Sequence, residues 1–417
     1  MININSMKRY QLLYLLSFLF LSCSKEVVES TNTNPTTKNS PSTNITYLYP
    51  KSTKAKKFIN TSYSLSNYEL WINSNDVLSK GSKYTLDNPL LVIQTAQLDI
   101  NMDGFEDIFT YDSYPLNVPT PNPPPSVFLG DGNKFNKVAW SGPTLKDPHG
   151  TKLLVGDFNG DSYPDIFSLV AVDPPNGAFP TLTDFNNLLF NSPTGFNQVK
   201  EFSDQLGFWY SGCSGDIDND GDLDIIMFNF HVAANGVKNK ILWNDGKGNF
   251  TYDLNGISSI QTVDESELFD VNNDGYLDLV LDHIDVIQNA RIPKFEVLLG
   301  NGKGFNLKSS PTFTLNSNQY INDINFADLD SDSIQEIIIG GSDGNNSKFW
   351  IEVYKSTDKA KSYVNATSNF VESNTGNKRF DKLRVQDIDE NGKLDIFASD
   401  KADNIRWEWD GSKFILK

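Results

Sequence analysis

The chain has 417 residues, 53 acidic and 35 basic, for a net charge of −18. That balance argues against nucleic acid and anionic membrane surfaces as partners, because both demand clustered Lys and Arg. Two cysteines and three scattered histidines, His149, His231 and His283, exclude a disulfide framework and argue against a multi-histidine metal centre.

The first predicted element is an export signal over residues 1–22. Lys8 and Arg9 form a positive start, and Tyr10 to Leu21 is an apolar run of 12 residues, too short for an ordinary membrane span. The run ends at Phe20, Leu21, Ser22 and Cys23, which resembles the bacterial lipobox with Phe20 in place of the usual leucine. The resemblance implies lipidation of Cys23 and a lipid-anchored place in the cell envelope, at the outer membrane or cell surface. Cys213 is then the remaining thiol, expected as a small buried side chain. Residues 23–44 follow as a tether. Between Ser30 and Asn44 every residue except Lys38 is Ser, Thr, Asn or Pro, a composition with almost nothing to bury.

Residues 45–417 read as one repeat-built domain. Its first part, 45–89, holds strand-like runs at Tyr47–Tyr49, Phe58–Ile59, Glu69–Asn73 and Lys83–Leu86 but no acidic loop, as expected of a degenerate repeat. From residue 90 a nine-residue acidic motif recurs six times, its starts 54–59 residues apart. Positions 1, 3, 5 and 9 are Asp99, Asn101, Asp103 and Asp107 in the first copy, and Asp157, Asn159, Asp161 and Asp165 in the second. The third copy has Asp216, Asp218, Asp220 and Asp224, and the fourth Asp270, Asn272, Asp274 and Asp278. The fifth has Asp328, Asp330, Asp332 and Glu336, and the sixth Asp387, Asp389, Asn391 and Asp395. Position 6 is glycine in four copies; the second moves its glycine to Gly160 at position 4, and the fifth has Ser333.

These residue types at this spacing suit calcium. A hard cation takes six to eight oxygens, and side chains at positions 1, 3 and 5 of a tight loop can converge on one point. Position 7 offers a carbonyl, and the ninth carboxylate can close the shell. The competing reading is a set of Asx turns that need no metal. Against it, positions 1, 3, 5 and 9 of the six loops hold 20 carboxylates, and six bound Ca²⁺ would take the net charge from −18 to −6. Each motif runs into a strand-like stretch, such as Ile225–Phe228, which places it in a β-hairpin and not between helices.

A second signature lies further along each unit: a strand, a small-residue turn, then Phe. It occurs at Val127–Phe135, Leu189–Phe196, Ile241–Phe250, Val297–Phe305 and Ile405–Phe414; the fifth unit keeps its strand, Trp350–Tyr354, without the Gly turn. One unit is therefore strand A, metal loop, strand B, connection, strand C, tight turn, strand D. Such units stack as propeller blades. The two signatures in register resemble the FG-GAP/VCBS repeat family, the β-propeller also found at the head of integrin α subunits. The expected fold is an all-β propeller of four-stranded blades with calcium loops in the A–B hairpins. Seven blades are favoured, counting 45–89, with six as the alternative.

In such blades the A–B and C–D turns share one face and the B–C and D–A connections the other. Recognition is expected on the latter, where loops on a rigid scaffold carry binding residues. Phe179, Phe208, Trp209 and Tyr210 are the candidate ligand-binding residues; the alternative is that Phe208 and Trp209 plug between blades. The expected function is a calcium-stabilised, non-catalytic binding or adhesion module for a glycan or protein. No HExxH motif occurs. The alternative is a calcium-dependent polysaccharide-degrading enzyme, since glycosidase carboxylate pairs follow no sequence spacing.

Overall fold

The computed structural model describes residues 59–417 outside a set of connecting stretches, the longest being 86–91, 114–123, 171–185, 231–236 and 387–392. The signal, the Cys23 lipidation site and the tether lie outside the described residues. So do Phe179 and the sixth-loop residues Asp387, Asp389 and Asn391.

Six antiparallel sheets follow one another as blades. Blade one comprises strands Val92–Leu98, Asp107–Ser113, Ser126–Gly130 and Phe135–Val138. Blade two comprises Gly150–Gly156, Asp165–Val170, Asn186–Phe190 and Gln198–Phe202. Blade three has Trp209–Gly215, Asp224–Asn229, Lys240–Asn244 and Phe250–Asp253, and blade six Lys382–Gln386, Asp395–Ser399, Asn404–Trp409 and Phe414–Leu416. In each, strands A to D are hydrogen-bonded in chain order.

The propeller expectation holds, but seven four-stranded blades do not. Residues 59–85 form a three-stranded meander, Ile59–Ser64, Asn67–Ser74 and Val77–Thr85. Strand A of blade one begins at Val92, and among the described residues no fourth strand pairs with this meander. Blade four has strands A to D at Ser266–Phe269, Asp278–Ile287, Ala290–Gly300 and Phe305–Asn306, blade five at Gln319–Ala327, Glu336–Asp343, Phe349–Ser356 and Tyr363–Asn365, and each has a fifth strand. In blade four, Asp278–Ile287 and Ala290–Gly300 run 10 and 11 residues, which leaves an edge for Thr312–Thr314 to pair with Lys294–Glu296. In blade five, Thr375–Gly376 pairs with Phe349–Trp350 beyond strand D, after a short helix at Thr367–Phe370. Strand counts therefore range from three to five.

A blade packed between two others must be apolar on both faces. Strand B shows this directly: all six residues of Asp165–Val170 and of Asp224–Asn229 are buried. The β-branched and aromatic residues in these runs fit a pleated, buried strand, and full burial of each large apolar side chain contributes about 1.5–3 kcal/mol. The core is divided into layers between successive blades. Phe109, Ile166 and Phe196 join blades one and two. Phe167, Met227 and Leu242 join two and three, and Ile226, Leu279 and Leu298 join three and four. Cys213 lies in the last of these layers, and burial pushes its thiol up to about 12.

The innermost strands contribute a polar cluster that sequence reasoning did not single out. Lys152 is buried and lies 3.3 Å from Glu265 Oε1 and 3.7 Å from Glu267 Oε1. The Ser211 and Ser266 hydroxyls meet at 3.0 Å beside it.

Candidate metal centre

Each of the first five acidic motifs forms the A–B turn, as its sequence predicted, and the sixth falls between strands Lys382–Gln386 and Asp395–Ser399. Position 1 follows strand A directly, and position 9 is the first residue of strand B. The local geometry repeats. The position 1 carboxylate accepts two backbone N–H groups: Asp99 from Asp103 at 3.0 Å and Gly104 at 2.8 Å, and Asp216 from Asp220 and Gly221, both at 3.0 Å. Asp157, Asp270 and Asp328 do the same. The Asx-turn geometry is thus present, and it leaves positions 3 and 5 at the loop surface.

The loop closes this tightly because positions 4 and 6 are both left-handed. At position 4, Met102, Gly160, Asn219, Asn273 and Ser331 have φ of 57°, 76°, 60°, 56° and 61°. At position 6, Gly104, Gly221 and Gly275 have φ of 88°, 100° and 89°, with Ser162 and Ser333 at 72° and 70°. The sequence signal pointed to position 6, and to position 4 only through Gly160. Asn at position 4 in two copies was the missed clue, since Asn tolerates this region better than most residues.

Position 9 has a role in addition to the shell-closing one expected of it. Asp224 is buried, and both its oxygens are engaged: Oδ2 by the Ile217 N–H at 3.1 Å and Oδ1 by the Asn244 N–H at 2.9 Å. Asp107 holds Ile100 and Gly130, Asp165 holds Phe158 and Asn191, and Asp278 holds Val271 and Gly300, all at 2.7–3.0 Å. The ninth carboxylate therefore pins the loop to strand C. Burial pushes Asp107 up to about 7 and Asp165, Asp224 and Asp278 up to about 8, against the lowering effect of the N–H donors.

Two described loops gather three carboxylates with oxygens all within 4.8 Å of one another: Asp216, Asp218 and Asp224, and Asp328, Asp330 and Asp332. Loops one, two and four place the neutral oxygen donors Asn101, Asn159 and Asn272 at position 3. In the sixth, Asp395 is buried at the start of strand B. The donor set is oxygen throughout, charged and carried on a turn, which fits a hard divalent cation.

Of the candidate recognition residues, the structure places Phe208, Trp209 and Tyr210 in the interior, 2%, 1% and 7% exposed. Trp209 belongs to the layer between blades two and three, and Lys240 Nζ lies 5.4 Å from its ring centre. Phe208 and Tyr210 both pack against Phe230. Trp209 is thus packed between blades, the alternative reading, and Phe208 and Tyr210 are buried against Phe230 just past strand B of their own blade.

Residues 216–281, from the third acidic loop into strand B of blade four, match the FG-GAP-like repeat family. A search of curated proteins finds no match for the chain.

Proposed function

We propose that the chain is a calcium-stabilised β-propeller acting as a binding or adhesion module for a glycan or protein. The observation that carries the reading is the third loop, where Asp216, Asp218 and Asp224 bring their oxygens within 4.8 Å over a buried carboxylate pin. Calcium there would be held by Asp216, Asp218, Asp220 and Asp224. It would supply positive charge to a self-repelling turn and fasten strand A to strand B. The corresponding residues of the first, second, fourth and sixth loops are proposed to act alike.

Recognition is assigned to connections on the rim away from the acidic loops, because a rigid scaffold presents ligand-binding residues on its loops. The lipobox-like end at Cys23 supports a lipid anchor in a bacterial envelope. The tether behind it would reach about 20–25 Å from the membrane.

The test has two parts. Counting of bound metal by native mass spectrometry in millimolar calcium should show several ions and the loss of one in Asp216→Asn. Calcium-loaded protein should then capture a ligand from a glycan array or a cell-envelope extract without turnover. Failure to bind calcium overturns the metal reading. Turnover of a polysaccharide only in calcium overturns the binding-module reading in favour of an enzyme.

A further inference from the structure

The fifth loop differs from the others in what lies over it. Asp330 and Asp332 both accept hydrogen bonds from Lys355 Nζ, the latter at 2.8 Å, and Glu336 Oε1 lies 3.6 Å from the same nitrogen. Lys355 reaches them from strand C, one residue past the partner of Ile337. At the equivalent position the first four blades carry Leu129, Phe190, Trp243 and Leu299, and the sixth Glu408. Only the fifth unit brings an ammonium to its acidic loop from this position.

The ninth residue differs too. Glu336 Oε2 accepts the Leu329 N–H at 2.8 Å, as the aspartates do in other loops. Its extra methylene displaces the other oxygen, so Oε1 does not take up a strand-C amide. That atom is buried without a hydrogen bond among the described residues, and it faces Lys355. A calcium ion sits about 2.3–2.6 Å from its oxygens, and a charge-assisted N–H···O contact spans about 2.7–2.9 Å. The two cations would occupy the same space between the same carboxylates.

We propose that Lys355 takes the place of the metal ion in the fifth loop, which is neutralised by the chain's own ammonium and takes up no calcium under conditions that fill the fourth. The inference rests on the calcium reading of the other loops. It makes blade five the unit that keeps its hairpin closed when calcium is withdrawn.

The experiment counts calcium on the full chain by native mass spectrometry, at a calcium concentration that saturates wild type. Lys355→Gln should carry one ion more than wild type. Asp332→Asn should carry the wild-type number, and Lys355→Gln/Asp332→Asn should lose the gained ion. Lys355→Arg, which keeps the charge, should match wild type. Asp274→Asn in the fourth loop should carry one ion fewer. If Asp332→Asn alone loses an ion, the fifth loop holds calcium despite the lysine and the inference fails. It fails equally if Lys355→Gln gains nothing. Should Asp274→Asn also leave the number unchanged, the calcium reading itself is at fault. Asp332 is at the surface, so its variant reports even if Lys355→Gln does not fold.

Discussion

Asn244 of blade three donates its side-chain amide to the Phe158 carbonyl in the second acidic loop at 2.9 Å, while its own N–H is held by Asp224. One residue thus joins two successive loops. Asn191 repeats the arrangement one blade earlier, reaching the Ile100 carbonyl at 2.8 Å with its N–H on Asp165. Beyond blade three the link changes hands: Asn219 reaches the Gly275 carbonyl at 2.7 Å, and Asn273 the Ser333 carbonyl at 2.6 Å. Loops one to five are therefore hydrogen-bonded in series.

Asn244→Ala should destabilise the protein by about 1–3 kcal/mol, since it strands the buried Phe158 and Leu223 carbonyls. Calcium affinity should fall at the second and third loops together. Urea unfolding and calcium titration of the variant check both.

Chelation should lower the melting temperature, and millimolar calcium should restore it. At a Kd of about 10⁻⁴ M, typical of extracellular sites, millimolar calcium contributes roughly 1.4 kcal/mol per filled site. A melting curve indifferent to chelator, in protein shown free of metal, would refute this.

The metal-free protein should weaken as pH rises. Asp165, Asp224 and Asp278 have folded pKa values of about 8, raised by burial, against about 3.9 for an unfolded aspartate. The native state therefore binds more protons than the unfolded chain between these limits. The resulting stability is complete below about pH 4 and is lost as pH rises through the folded values. In chelator, unfolding midpoints should be higher at pH 5 than at pH 8. Calcium needs the ionised carboxylates, so its stabilising effect should be larger at pH 8.

Positions 5 and 9 of one loop should separate metal binding from folding. Asp220→Ala removes an exposed oxygen donor and should cost one calcium with little loss of stability in chelator. Asp224→Ala leaves the buried Ile217 and Asn244 N–H groups without their acceptor and should cost about 2–4 kcal/mol with or without calcium. Equal losses in chelator would refute the pin assigned to Asp224.

Trp209→Ala should cost about 3–5 kcal/mol, as expected for emptying a packed aromatic site. Its thermal melt should fall in chelator and in calcium alike, which separates packing from ligand contact.

Much of this was legible in the sequence because the repeat states it six times. The A–B placement of the loops followed from a carboxylate motif running into Ile225–Phe228, and that run is strand B. The blade count was less legible. Glu69–Asn73 has the pattern of a strand, but pattern alone does not show whether a fourth strand completes its sheet. The extra strand Thr312–Thr314 depends on how far Ala290–Gly300 extends, a length set by pairing and not by composition. For Phe208 to Tyr210 the sequence left recognition and packing open for a related reason. An aromatic cluster serves recognition or packing equally well, and only the neighbouring blade decides. The Lys355 contact was invisible because it joins residues 25 apart through strand register.

The joints made by Asn191, Asn244, Asn219 and Asn273 each use only the adjacent repeat. Stability in such an array is approximately a sum of units and nearest-neighbour interfaces. A change in one loop is therefore passed first to the loops beside it, and its effect should fade within a blade or two of the altered residue.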